Sequence, residues 1–175
     1  TNIIMADYNI KKIKNIKKGD QLLDKDNKVS TVVCLIKMKC INNKCFLTEI
    51  KGIKENLFIT PCHPVIDVNY PSTIGKNYNW VFPYTISMNT AFVECDYIYN
   101  LVLDSNHNII AENTVCVTLG HNFNSNFVIT HDYFGTNKVI DDLSRMNGYE
   151  DGLVYLEGDY VERDTNTGRI IKYKQ

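Results

Sequence analysis

Thr60-Pro61-Cys62-His63-Pro64 follows the apolar run Asn56–Ile59, and Tyr99-Asn100-Leu101-Val102-Leu103 passes through Asp104-Ser105-Asn106 into His107-Asn108. Each stretch sets a histidine at the end of a β-rich run, where a turn lets the ring reach a neighbouring backbone. Cutting a peptide through an acyl shift needs a nucleophile, an acid for the leaving amide nitrogen, and donors for the oxyanion that develops on the carbonyl. Thr60 and His63 suit the last two roles. A Thr-x-x-His pattern is short, however, and taken alone it reads more simply as a strand-ending turn with a structural histidine.

Outward from these stretches, Gly, Asn, Asp or Pro punctuates the chain about every eight to twelve residues, with β-branched and aromatic residues between, as in all-β sandwiches and barrel-like modules. The expected strands are Gln21–Leu23, Ser30–Lys39, Phe46–Ile50, Asn56–Ile59, Pro64–Val68, Trp80–Pro83, Cys95–Leu103, His107–Ala111 and Thr114–Leu119. Turns are expected at Lys18-Gly19-Asp20, Asp26-Asn27, Asn42-Asn43 and Asp104-Ser105-Asn106. Beyond Gly120 the character changes. His121 to Asn126 is polar and loop-like, Thr136–Met146 reads as a helix capped by Thr136 or Asn137, and Leu153–Lys174 reads as a hairpin turning at Asp164–Gly168. The division expected is a β module over 1–121 and a small C-terminal α+β appendage over 122–175.

The chain has 175 residues, enough for one domain with an appendage and a sizeable core. With 19 Lys and Arg against 20 Asp and Glu, its net charge of −1 offers no field for nucleic acid or an anionic membrane. The one basic run, Lys11, Lys12, Lys14, Lys17 and Lys18, alternates with Ile10, Ile13 and Ile16 and reads as a solvated face opposite three buried isoleucines. No apolar run approaches the roughly 18 residues that span a bilayer, and the start lacks a signal-peptide pattern, so a cytoplasmic or intracellular chain is the expectation. Six cysteines without a paired framework point the same way, to reduced thiols. Lysine far exceeds arginine, and Asn and Ile are frequent. That bias fits an AT-rich coding genome, as in some protists and large DNA viruses.

The two histidine stretches, in this order and spacing, resemble the self-processing Hint domains, the horseshoe-shaped β fold of inteins and hedgehog C-terminal domains. Tyr99-Asn100-Leu101, His107 and Asn113 are similar to the intein C-terminal signature, and Gly19-Asp20 after Ile16 is similar to the Ile-x-x-Gly-Asp step of Hint domains. Met5-Ala6-Asp7, Val33-Cys34-Leu35, Trp80–Pro83, Cys95–Leu103, Cys116–His121 and His131-x-Tyr133-Phe134-Gly135-Thr136 look more narrowly like the Vint family, Hint domains joined to von Willebrand A modules. The likeness runs on through Val139, Leu143, Gly148 and Gly152.

The resemblance implies autoproteolysis with no metal or organic cofactor. The partner would be the chain's own N-terminal flanking segment or a fused domain, with no nucleic acid and no membrane. The Hint nucleophile is a cysteine that begins the domain, and alignment on Ala6-Asp7 and Gly19-Asp20 puts it about five residues before Thr1. His63 is implied as general acid, Thr60 as a carbonyl-polarising group, and His107 as a residue at the C-terminal edge of the site. Cys116 reads either as a second nucleophile or redox neighbour, or as a small core residue. Thr1 as an N-terminal nucleophile is disfavoured because it aligns inside the first strand. Cys62 beside His63 is disfavoured as a protease dyad because adjacent strand residues face opposite ways. Cys40-x4-Cys45 could be half of a zinc site, with nothing obvious to complete it.

Intein C-terminal excision needs a terminal asparagine, whereas Thr118 and Leu119 stand at that distance and His121-Asn122 is displaced. Protein splicing in full is therefore not expected, and N-terminal cleavage or acyl transfer is the more economical reading. The alternative is a catalytically silent Hint-fold scaffold in a larger assembly, such as a virion.

Overall fold

The computed structural model describes residues 1–52, 55–66 and 79–174. Its strands are β1 (Asn2–Ile4), β2 (Ile10–Lys12), β3 (Gln21–Leu23), β4 (Val29–Lys39), β5 (Lys44–Ile50), β6 (Leu57–Ile59), β7 (Val65–Ile66), β8 (Trp80–Val81), β9 (Thr90–Glu94), β10 (Tyr97–Leu103), β11 (Asn108–Ala111), β12 (Thr114–Val117), β13 (Leu153–Leu156), β14 (Val161–Arg163) and β15 (Ile170–Tyr173). Two short helices, α1 (Pro83–Ile86) and α2 (Asn137–Ser144), accompany them. The fold is all-β with a small helical portion. One sheet runs β2-β1-β11-β12-β7-β8, a second has β4 between β10 and β13 with β3 also on β4, a third runs β6-β5-β9, and β14 pairs with β15.

β4 organises the packing because its length lets it serve two cores. Val32 and Leu35 join Ile3, Leu22, Val65, Leu101 and Cys116 in one cluster, while Cys34, Ile36 and Met38 join Val139, Leu143, Val154 and Tyr173 in another. From Cys34 on, alternate residues face opposite ways, Leu35 toward the first core and Cys34, Ile36 and Met38 toward the second. The extra residue Val33, skipped in the pairing with β10, brings Val32 back to the first. The register shift between Val102 and Leu103 on β10 lets the β4–β10 pair bend from one core to the other.

Most expected strands are found within a residue or two of their expected ends. For the segment Pro64–Val68, the last two residues lie outside the described ones. Four differences have clear causes. β9 was not expected because its residues sit on an edge, with Ala91, Phe92 and Glu94 exposed, and no buried face marks it in the sequence. Pro83, expected to end a strand, is instead the first residue of α1, where its missing N–H costs nothing. The C-terminal hairpin consists of β14 and β15 only. Leu153–Leu156 instead lies parallel to β4, with Val154 opposite Ile36, so the segment after residue 121 adds a strand to the β4 sheet. Finally, Ile16 is buried and Ile13 packs on the core, but Ile10 is 52% exposed on β2, so two isoleucines rather than three oppose the lysines.

Candidate functional site

His63 closes the turn between β6 and β7. Its N–H donates to the Thr60 carbonyl at 3.0 Å, and the Pro61 carbonyl accepts from Tyr84 N at 3.4 Å, so α1 braces the same turn. Cys116 opposite Val65 registers β7 on β12, which brings the His63 ring to the end of β12. There His63 Nε2 lies 2.8 Å from the Val117 carbonyl oxygen. A carbonyl only accepts, so the proton sits on Nε2 and Nδ1 keeps its lone pair. Burial holds the pKa of His63 below the usual histidine value, the Val117 carbonyl only partly opposing it.

His107 ends the turn after β10 with φ of 46°, in the left-handed region together with Asn106 before it at 55°. Its carbonyl accepts from Thr118 N at 2.9 Å, so His63 and His107 grip adjacent residues, Val117 and Thr118. His107 Nδ1 and the Thr118 hydroxyl are both buried with no hydrogen-bond partner among the described residues. Thr118 itself is only 2% exposed. Burial also depresses the pKa of His107, against the pull of Asp104.

His121 completes the group. It is buried, and its Nδ1 accepts from Phe123 N at 2.9 Å, which leaves the proton on Nε2. Burial, then the charges that His107, His63 and His131 would carry, push its pKa down to about 4. His121 is therefore within electrostatic reach of the other three histidines, and the chain has four in all. His131 Nδ1 accepts from Tyr133 N at 3.2 Å and Phe134 N at 3.1 Å. Gly135 lets this loop close on His121, since a Cβ there would stand 2.7 Å from the His131 carbonyl oxygen and 3.1 Å from His121 Cε1.

His63 and His107 thus meet adjacent residues at the end of β12, and Thr60 is tied to them only through its carbonyl, which accepts from His63 N. His121 feels the charge of both histidines, and the His131 loop packs on His121 at Gly135, although sequence reasoning assigned neither His121 nor His131 a role. Their signal, a histidine whose Nδ1 takes a backbone N–H two residues on, exists only in the folded turn. Cys116, the residue before Val117, is a core residue. It is 4% exposed in the core, its thiol directed at the Thr114 carbonyl at 3.7 Å, and burial pushes its pKa up to about 12, opposite to what a nucleophile needs. The Thr1 amine stands 4.0 Å from Glu112, at the turn between β11 and β12, whereas His63 meets β12 at its other end. Cys62 is exposed on the turn. Among the described residues no group of three or more His, Cys, Asp and Glu side chains is arranged to hold a metal ion. No described helix is long and apolar enough to cross a membrane.

The chain is all-β and sets the Thr60–His63 turn against the end of β12, whose Thr118 neighbour is held by His107. The sequence model of the Hint-domain family Vint matches residues 1–172, and the chain belongs to that family. Among solved structures, the crystal structure of the gp41-1 intein is similar at 13% identity and a TM-score of 0.44, over 67% of this chain and 94% of the intein chain. No curated protein matches the chain.

Proposed function

We propose that this chain is the processing module of a precursor in which a cysteine about five residues before Thr1 attacks its own upstream peptide bond. The thiolate sulfur adds to the carbonyl carbon, the C–N bond breaks, and the amide nitrogen takes a proton as a thioester forms. Water or another nucleophile then releases the upstream segment. His63 acts twice: Nδ1 accepts the thiol proton, and the imidazolium so formed returns it to the leaving nitrogen. Thr60 helps polarise the carbonyl, and His107 acts at the C-terminal edge of the cluster.

The observation that carries the reading is the His63 geometry, because Nε2, which donates to the Val117 carbonyl, holds the proton and leaves the lone pair of a neutral ring on Nδ1. C-terminal excision is not part of the proposal. The Asn122 side-chain nitrogen donates to the Gly120 carbonyl at 3.2 Å and to Asn137 Oδ1 at 3.1 Å, which holds it away from attack on its own carbonyl. In a precursor carrying the upstream cysteine, His63→Ala is expected to reduce N-terminal cleavage at least about a hundredfold, read by mass spectrometry. Cleavage at the parent rate would remove His63 from the mechanism. A precursor with no nucleophile at that position would favour the silent scaffold.

A further inference from the structure

Two thiols meet where β4 hands over to β5 and β9 hands over to β10, with a third, Cys45, on β5 beside them. Cys40 Sγ and Cys95 Sγ lie 3.4 Å apart, while the Cys45 thiol nearby is directed at the Phe46 carbonyl at 4.0 Å. The backbone holds the pair in place. Cys40 N donates to the Asp96 carbonyl at 2.9 Å, and Cys95 N donates to the Asn43 carbonyl at 3.0 Å. The sulfurs would need to close from 3.4 Å to the ~2.05 Å of a disulfide. Cys40 is 7% exposed, while Cys45 and Cys95 are half-buried, so a reagent reaches the pair from the Cys95 side. None of these thiols touches the histidine cluster in any contact seen here.

We propose that Cys40 and Cys95 form a reversible dithiol–disulfide site, with Cys45 as an exchanging neighbour, that reacts with small-molecule disulfides of the glutathione class. The Cys95 thiolate attacks one sulfur of the disulfide R–S–S–R; that S–S bond breaks, and the departing R–S⁻ takes up the proton Cys95 gave off. The Cys40 thiolate then attacks the Cys95 sulfur of the mixed disulfide and expels the second R–S⁻, which is protonated in turn. Two protein thiols are oxidised to one disulfide, and one small disulfide is reduced to two thiols. Burial, together with the neighbouring Cys95, pushes the Cys40 pKa up to about 12, so the second step is slow at neutral pH. The product is a covalent staple across the 55-residue separation between Cys40 and Cys95, which encloses β5 to β9 and the Thr60–His63 turn.

The test uses the full chain and the same chain carrying Cys62→Ser, which removes the exposed thiol. Each is equilibrated with oxidised glutathione and read by intact mass and by peptide mapping after alkylation. The expected product has lost two hydrogens, carries no glutathione, joins the Cys40 and Cys95 peptides, and reverts in excess reduced glutathione. Cys40→Ser is expected to hold one glutathione on Cys95 or to cross-link Cys95 to Cys45. Oxidised protein in which Cys40 and Cys95 both remain alkylatable would overturn the proposal. So would stable glutathione on Cys95 with Cys40 present, and the parent chain alone suffices to show either.

Discussion

At the scale of single residues, the histidines respond to being buried. The folded pKa of His121 is depressed to about 4, so between that value and the usual 6.5 the unfolded chain binds a proton that the folded chain refuses. The stability contribution is therefore complete above about pH 6.5 and lost as pH falls toward 4, at most about 3 kcal/mol for this residue. His63, His107 and His131 are shifted the same way and add to the slope. Thermal unfolding followed from pH 7 to pH 4.5 should show a falling Tm, and His121→Asn, which keeps an acceptor for Phe123 N, should flatten that fall. An unchanged slope in the variant would show that His121 titrates normally. Gly135→Ala tests the close approach behind the same residue. Its Cβ meets the fixed His131 carbonyl, so a loss of about 1–3 kcal/mol is expected in denaturant unfolding.

Between elements, β4 carries the molecule, and the segment after residue 121 is built onto it. Val154, Leu156 and Tyr173 are buried beside Cys34, Ile36 and Met38, so a chain cut after residue 152 would expose the second core. Such a truncation should lose its cooperative thermal transition and bind a hydrophobic dye; a sharp transition would show that residues 1–152 fold without β13 to β15. Leu143 is fully buried where α2 meets that core, and Leu143→Ala should cost about 2–5 kcal/mol. Central strands were legible because alternation or apolar runs mark any strand with a buried face, as in Val32–Ile36 and Leu101–Leu103. β9 and β13 were not. The first is an exposed edge, and the second alternates like a hairpin strand, so sequence pattern cannot distinguish a local antiparallel partner from a distant parallel one.

For the whole molecule, the Cys40–Cys95 staple is expected to raise Tm by about 5–10 °C on oxidation, since it closes a long loop in the unfolded chain. A scan of oxidised and reduced protein measures this, and equal Tm values would mean the loop is already constrained when unfolded. The family and its all-β class were readable in the sequence, because turn residues, strand alternation and short motifs are local properties that each segment carries with it. The Thr60–His63 turn was readable for the same reason. What only the tertiary structure decided is which side chains share an environment. It buried Cys116 in the core, brought His121 within reach of the charges of His63 and His107 with the His131 loop packed on it, and set Cys40 against Cys95. Those outcomes depend on strand register and sheet order, in particular β12 against β7 and β4 against β10, and register is settled by the summed packing of distant faces rather than by any one stretch of residues.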